Sequence, residues 1–177
     1  RMSSKSNPSQ PASGAPHLKR RSRLIRSQDG LRRLDDILVV EDEPRDSDRI
    51  IATLRVLVGY DELVVRTAST ISSAVDAVLE QHPKLVLLDD ALKPADTATD
   101  TIPFLQRAGY DGPIVVISGQ VTRRRRTELL QAGAVDVIHK DDVDSVQLSA
   151  CLLRVFPDLA IGASDGDQAG EAKGEEQ

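Results

Sequence analysis

The chain has no tryptophan, two tyrosines, two phenylalanines and one cysteine in 177 residues. With so few aromatics, a core has to be assembled from Leu, Ile, Val and Ala. A single Cys151 excludes an intramolecular disulfide, as suits a reducing compartment. Its place in a helical apolar pattern makes it a buried small hydrophobe rather than a reactive thiol. No apolar run approaches the roughly 18 residues that span a bilayer, and no signal-peptide core follows the N-terminal charges. A soluble, cytoplasmic protein without a membrane partner is the expectation. His17, His82 and His139 are dispersed with no ligand spacing, which argues against a zinc site.

Charge is present but unevenly placed. The net charge of −5 hides a net +8 over residues 1–34 and −5 over residues 157–177, leaving −8 between them. An acidic middle repels phosphates and argues against a nucleic-acid surface. Residues 1–34 read as a basic extension, disordered over the Ser-, Pro- and Lys/Arg-rich stretch to residue 22. Its Lys19-Arg20-Arg21 and Arg23 cluster is a solvated tail, or else a docking arm for an acidic partner. Leu24, Leu31 and Leu34 share a helical spacing that Gly30 weakens. Residues 35–157 form the folded domain, and 158–177 an acidic disordered tail too short and polar to be an effector domain.

Within the domain, continuous apolar runs alternate with helical stripes. Ile37-Leu38-Val39-Val40, Leu63 to Thr67, Leu85-Val86-Leu87-Leu88, Ile114-Val115-Val116-Ile117 and Val135 to His139 read as strands. Between them, stripes such as Ile50, Ile51, Leu54, Leu57, Val58 and Ile71, Ala74, Val75, Val78, Leu79 mark helices. Ser69 or Thr70 can cap the second helix, and Gly59 and Gly133 end the first and fourth. Residues 91–100 read as a long polar loop before a short helix near Pro103 to Ala108. The last helix runs from about Val143 to Phe156. Strict alternation requires a parallel sheet with helices on both faces. Five strands favour an α/β, flavodoxin-like three-layer sandwich of order 2-1-3-4-5, an order taken over from known sheets of this kind rather than deduced from the alternation, with ligands beyond the carboxyl ends of the strands.

Those ends deliver Glu41 and Asp42, then Asp89, Ser118 and Lys140. Carboxylates brought together repel unless a cation sits among them. Mg²⁺ suits such a set, because it prefers oxygen ligands and accepts one or two carboxylates plus a phosphate. A mobile ammonium and a hydroxyl donor complete what phosphoryl transfer to a carboxylate needs. Asp89 would be the nucleophile.

Over residues 36–156 these segments resemble the receiver domains of bacterial two-component response regulators. The resemblance rests on Ile37 to Pro44, Leu85 to Asp89, Ile114 to Gly119, and Ala132-Gly133-Ala134 running on to Lys140. It implies that Asp89 accepts a phosphoryl group from a sensor histidine kinase or phosphotransfer protein. It also implies that Asp42 ligates Mg²⁺ directly, Glu41 through water and Ala91 by its backbone carbonyl. Ser118 and Lys140 would engage the phosphoryl group, and Ala91 and Gln120 would bear on its lifetime. Such a domain is a phosphoacceptor with slow self-dephosphorylation rather than a turnover enzyme. Its output is a downstream protein target bound in a phosphorylation-dependent way.

The chain departs from the family in several places. Asp141 replaces the usual Pro after the Lys, and Val137 replaces the aromatic switch residue. The loop after Asp89 is long and lacks the usual Gly, and Asp90 is an uncommon neighbour. Arg123 to Arg126 read as a solvated face, or as an interface whose acidic partners are Asp141, Asp142 and Asp144 of a second copy. That would be a homodimer through the fourth and fifth helices. Two other classes remain open. One is a phosphorylation-independent interaction module. The other is a phosphohydrolase with an aspartyl nucleophile, whose usual second Asp two residues on is here Ala91.

Overall fold

A computed structural model describes residues 34–58 and 63–157. The readings of residues 1–33, of Gly59 and of the tail from 158 lie outside the described residues. Leu34, expected to end a short helix, lies just ahead of the first strand and is packed in the core.

Five apolar runs become strands: β1 (Asp36–Val40), β2 (Val64–Ala68), β3 (Leu85–Asp89), β6 (Ile114–Ser118) and β7 (Asp136–His139). They pair in parallel in the order β2-β1-β3-β6-β7. This is the expected 2-1-3-4-5 arrangement once the short ribbon strands β4 (Ala91–Leu92) and β5 (Asp96–Thr97) are set aside. The central strands β1, β3 and β6 are buried along their whole length. That follows from helices on both faces, and the polar exceptions Asp36, Asp89 and Ser118 stand at strand ends.

Successive strand residues point to opposite faces, so each strand feeds two cores. Ile37, Val39, Leu85, Leu87, Val115 and Ile117 face α1 (Pro44–Val58) and α5 (Ser145–Val155). Leu38, Val40, Val86, Leu88 and Val116 face α2 (Ile71–Glu80), α3 (Ala98–Arg107) and α4 (Arg123–Ala132). Cys151 is fully buried in the first core, and burial beside Asp136 pushes its thiol up to about 12. It is the inert small hydrophobe that its pattern predicts.

Local signals explain most helix ends. Pro44 stands at the first position of α1, where its missing N–H costs nothing. Thr70 caps α2 in a reciprocal box with Ser73, and Thr122 accepts from the Arg125 N–H at the start of α4. Gly133 closes α4 at φ +121°, a left-handed conformation that a side chain resists. A Cβ there would also stand 2.6 Å from Gln106 Nε2.

The predicted loop after Asp89 is corrected. Ala91–Leu92 (β4) pairs antiparallel with Asp96–Thr97 (β5), and α3 begins at Ala98 rather than near Pro103. The Asp100 side chain accepts from the Thr97 N–H and hydroxyl, which starts the helix early. Pro103 therefore sits inside α3, forfeiting one backbone bond. The last helix is corrected too: Lys140–Asp142 forms a 3₁₀ turn, and α5 starts at Ser145 with Asp144 as its cap.

One buried carboxylate ties three elements together. Asp136 of β7 accepts from Arg126 of α4 at 3.1 Å, from Arg154 of α5 at 2.8 Å and from the Val137 N–H at 2.9 Å. Burial works against its charge, yet the Arg154 bond and its other donors hold it below the usual carboxylate range. Asp136→Ala removes several charge-assisted bonds, but both arginines reach water and can rehydrate. The expected cost is about 2 kcal/mol of unfolding free energy, less than the loss of a partner from a sealed ion pair. Urea denaturation at neutral pH measures it.

Candidate functional site

The carboxyl ends of β1, β3, β6 and β7 meet along one sheet edge, because these strands are consecutive neighbours. β1 leads into Glu41 and Asp42, β3 ends at Asp89, β6 at Ser118, and β7 runs directly into Lys140. Glu41 and Asp89 are about 95% buried, and oxygen atoms of Glu41, Asp42 and Asp89 all lie within 4.8 Å of one another. Burial and the nearby Glu41 carboxylate push Asp89 up to about 7, against the opposing pull of Lys140 and the Ala91 backbone. Such crowding needs positive charge.

Part of that charge is Lys140. Its ammonium lies 2.9 Å from Asp46 Oδ2, 3.2 Å from Glu41 Oε2 and 3.5 Å from Asp89 Oδ1. Burial disfavours the ammonium, but Asp46, Asp89 and Glu41 together keep it protonated well above neutral pH. One ammonium does not satisfy three acids. Glu41 Oε2 is buried, with the Lys140 ammonium at 3.2 Å and no other donor on it among the described residues. A buried, under-satisfied carboxylate oxygen beside two further carboxylates is a donor set that fits a hard divalent cation. Ala91 begins β4 two residues after Asp89, next to this cluster in the chain.

Several residues that shape the site carry no local signal. Asp46 and Arg49 are on α1, where an acid in the first turn reads only as helix-favouring charge. Arg49 donates to the Lys140 carbonyl at 2.7 Å, holding the turn where the family carries Pro. The Lys140–Asp141 bond is not cis; among the described residues the cis bond is Lys93–Pro94. Lys93, in the turn between β4 and β5, donates its N–H to Asp42 Oδ2 at 3.3 Å. Its ammonium lies 3.8 Å from Asp42 and 3.7 Å from Glu43.

Asp90 turns to the other side. Its carboxylate takes a two-pronged hold from Arg125 of α4, with Nε at 2.9 Å from Oδ2 and Nη2 on Oδ1. Ser118 Oγ also donates to Oδ2 at 2.9 Å, and the Ala98 N–H reaches Oδ1 at 3.4 Å. Burial raises the Asp90 carboxyl, but these donors outweigh it and keep the group ionised. The arginine run is therefore not uniformly a solvated face, which corrects that expectation. Arg123 is exposed, and Arg124 reaches solvent beside Glu128. Arg125 is committed to Asp90 and Glu128, and Arg126 to Asp136. Asp144, read as an acid for a second copy, accepts instead from the Val146 and Gln147 N–H groups at 2.9 Å.

At the far end of β7, Val137 is buried in the α2/α3/α4 core. His139 accepts from the Asp141 N–H through Nδ1 and is a partly exposed edge residue, as its position predicts. None of the described helices is long and apolar enough to cross a membrane.

Comparison with known proteins agrees with this geometry. Two curated relatives, the transcriptional regulatory protein KdpE of two Mycobacterium tuberculosis strains, are each 33% identical over 104 residues. The match takes in 59% of this chain but 43% of theirs, so the chain spans less than half the length of these relatives. Among solved structures, the receiver domain of NtrX from Brucella abortus superposes with a TM-score of 0.59 at 27% identity, covering 69% of this chain and 98% of that one. The BeF₃-activated receiver domain of Klebsiella pneumoniae RstA gives 0.56 at 28%, covering 67% and 97%. Residues 37–151 match the family model of the response regulator receiver domain. With its five-stranded parallel sheet and the acids and lysine gathered at one edge, the chain belongs to the response regulator receiver domain family.

Proposed function

We propose that this receiver accepts a phosphoryl group on Asp89 from the phosphohistidine of a sensor kinase or phosphotransfer protein. In this reading it signals through protein contacts in the cytoplasm. The observation that carries it is the placement of Asp89, buried at the end of β3 with the Lys140 ammonium at 3.5 Å and two further carboxylates within ligand distance. Asp42, Asp89, the Ala91 carbonyl and, through water, Glu41 would hold Mg²⁺. Bound there, the ion would offset charge on the carboxylates and the incoming phosphoryl oxygens.

The chain's own groups do the rest. An Asp89 oxygen attacks phosphorus, the donor's P–N bond breaks, and the histidine leaves with the electron pair. Lys140 stays protonated and offsets charge on the transferred group, helped by its anchorage to Asp46. Ser118 supplies a hydroxyl donor from β6. Later hydrolysis of the acyl phosphate returns Asp89 and inorganic phosphate, so the domain resets slowly and acts on no external ester.

Output would leave by the face of α4, β7 and α5, where phosphorylation shifts an existing equilibrium. Arg123 and Arg124 of one copy and Asp141 and Asp142 of another offer charges for a symmetric pair there. The role named for the KdpE relatives is not carried over, because most of their length has no counterpart here. The test is incubation with acetyl phosphate and Mg²⁺. One hydroxylamine-labile phosphoryl group per chain is expected, absent when EDTA replaces the metal. An unlabelled wild-type chain that still binds its partners would instead make it a phosphorylation-independent module.

A further inference from the structure

The hydroxyl of Ser118 carries one proton, and two anions have a claim on it. In the unphosphorylated chain Asp90 Oδ2 takes it at 2.9 Å, with the Gln120 carbonyl as the other acceptor at 3.1 Å. A phosphoryl group on Asp89 would need the same proton. Asp90 does not stand alone, since both its oxygens are held by Arg125, whose Nη1 also donates to Glu128 at 3.2 Å. The usual aromatic coupling partner is missing, since β7 carries Val137.

We propose that Asp90 and Arg125 form a polar latch on Ser118, which withholds its hydroxyl from the phosphoryl site and reports its release to α4. The proposal rests on Asp89 being the phosphoacceptor. Both latch residues are positioning residues, because each acts through Ser118. The arrangement predicts opposite effects from its two halves. Without Asp90, Ser118 is free to turn, and a phosphoryl mimic binds more tightly. Without Arg125, Asp90 keeps an uncompensated charge, holds the Ser118 proton harder and repels the mimic. A pair that merely stabilised the fold would move both variants the same way.

The experiment titrates beryllofluoride with Mg²⁺ into the full chain by calorimetry, with a thermal melt of each variant as a folding check. Asp90→Ala is expected to tighten binding about tenfold and Arg125→Ala to weaken it about tenfold, the scale of one charge-assisted hydrogen bond. The double variant should follow Asp90→Ala. With Ser118→Ala already in place, Asp90→Ala should give no gain, as the shared proton is gone. Amide shifts of Arg123–Ala132 on binding should be large in the wild type and small in both single variants. Should either truncation fail to fold, Asp90→Asn and Arg125→Gln carry the same comparison. Single variants that move together, or an Asp90 gain that survives Ser118→Ala, overturn the latch. A wild-type chain that binds no beryllofluoride overturns the Asp89 assignment and the latch with it. A wild-type chain that binds it while neither variant shifts overturns the latch alone.

Discussion

Asp89→Asn is expected to take up no phosphoryl group from acetyl phosphate, while Asp90→Asn is labelled at least as well as the wild type. The two carboxylates are adjacent in sequence but differ in what they can do. Asp89 lies with Glu41 and Asp42, and among the described residues its own ion-pair partner is Lys140. Its lone pairs face a charge that is under-compensated, which is where a cation and an electrophilic phosphorus can enter. Asp90 has both oxygens engaged by the Arg125 guanidinium and a further donor on each, from Ser118 and Ala98. A carboxylate saturated with strong donors is stabilised as it stands and makes a poor nucleophile. Removal of the nucleophile removes the covalent product, so the loss in Asp89→Asn should exceed ~100-fold. Hydroxylamine-sensitive radiolabel or intact mass reads the outcome. Label retained in Asp89→Asn but lost in Asp90→Asn would transfer the role to Asp90.

In the absence of divalent cations, the fold should lose stability as pH rises from about 4 to about 7. The ionisation of Asp89 sets the sign. Burial and Glu41 raise it from 3.8 to about 7, so across that window the folded chain holds a proton that the unfolded chain has released. Stability rises with pH only where the unfolded state binds more protons, and here it binds fewer. The contribution is therefore full below about 4, declines through the window, and stays lost above about 7. Three units correspond to about 4 kcal/mol at most. Asp90 and Asp136 run the other way: their lowered values make stability fall as the medium becomes acidic, below about 4. Between the two regimes stability should pass through a maximum in mildly acid buffer.

Asp89→Asn removes the crowded charge. Its profile above pH 4 should be flatter, with a gain of about 2–4 kcal/mol at pH 8. Mg²⁺ at about 100 times its dissociation constant should return about 2.7 kcal/mol to the wild type. Little should return to Asp42→Asn, which lacks one of the three donors. Urea titrations from pH 4 to 8, with Mg²⁺ or EDTA, separate these terms. A wild-type chain that becomes steadily more stable towards pH 8 without metal would contradict the burial of an ionising Asp89.

What the sequence discloses here follows the reach of each signal. The buried strands are legible because β1, β3 and β6 each hold four consecutive apolar residues, and the polar residues that follow such runs mark the sheet edge. Glu41, Asp42, Asp89, Ser118 and Lys140 all follow or end strand runs, and they stand at one edge of the sheet. The start of α3 is hidden in the sequence because Ala98 and Thr101, both fully buried, are too small or polar to register as an apolar stripe. The Thr97-x-x-Asp100 spacing is itself a helix-start pattern. Arg125 was indistinguishable from its arginine neighbours, since its commitment to Asp90 joins residues 35 positions apart. Asp46 was invisible for the same reason: nothing local shows that a first-turn acid reaches Lys140 on the last strand's end.

Asp136 sets a mechanical condition on all of this. Gripped by Arg126 on one side and Arg154 on the other, it rivets two helices to a single edge strand. A nudge delivered at Arg125 falls next to Arg126, which shares the Asp136 carboxylate with Arg154 of α5. A binding protein that clasps either helix would thus sense the posture of both, and cutting the rivet should make each respond on its own.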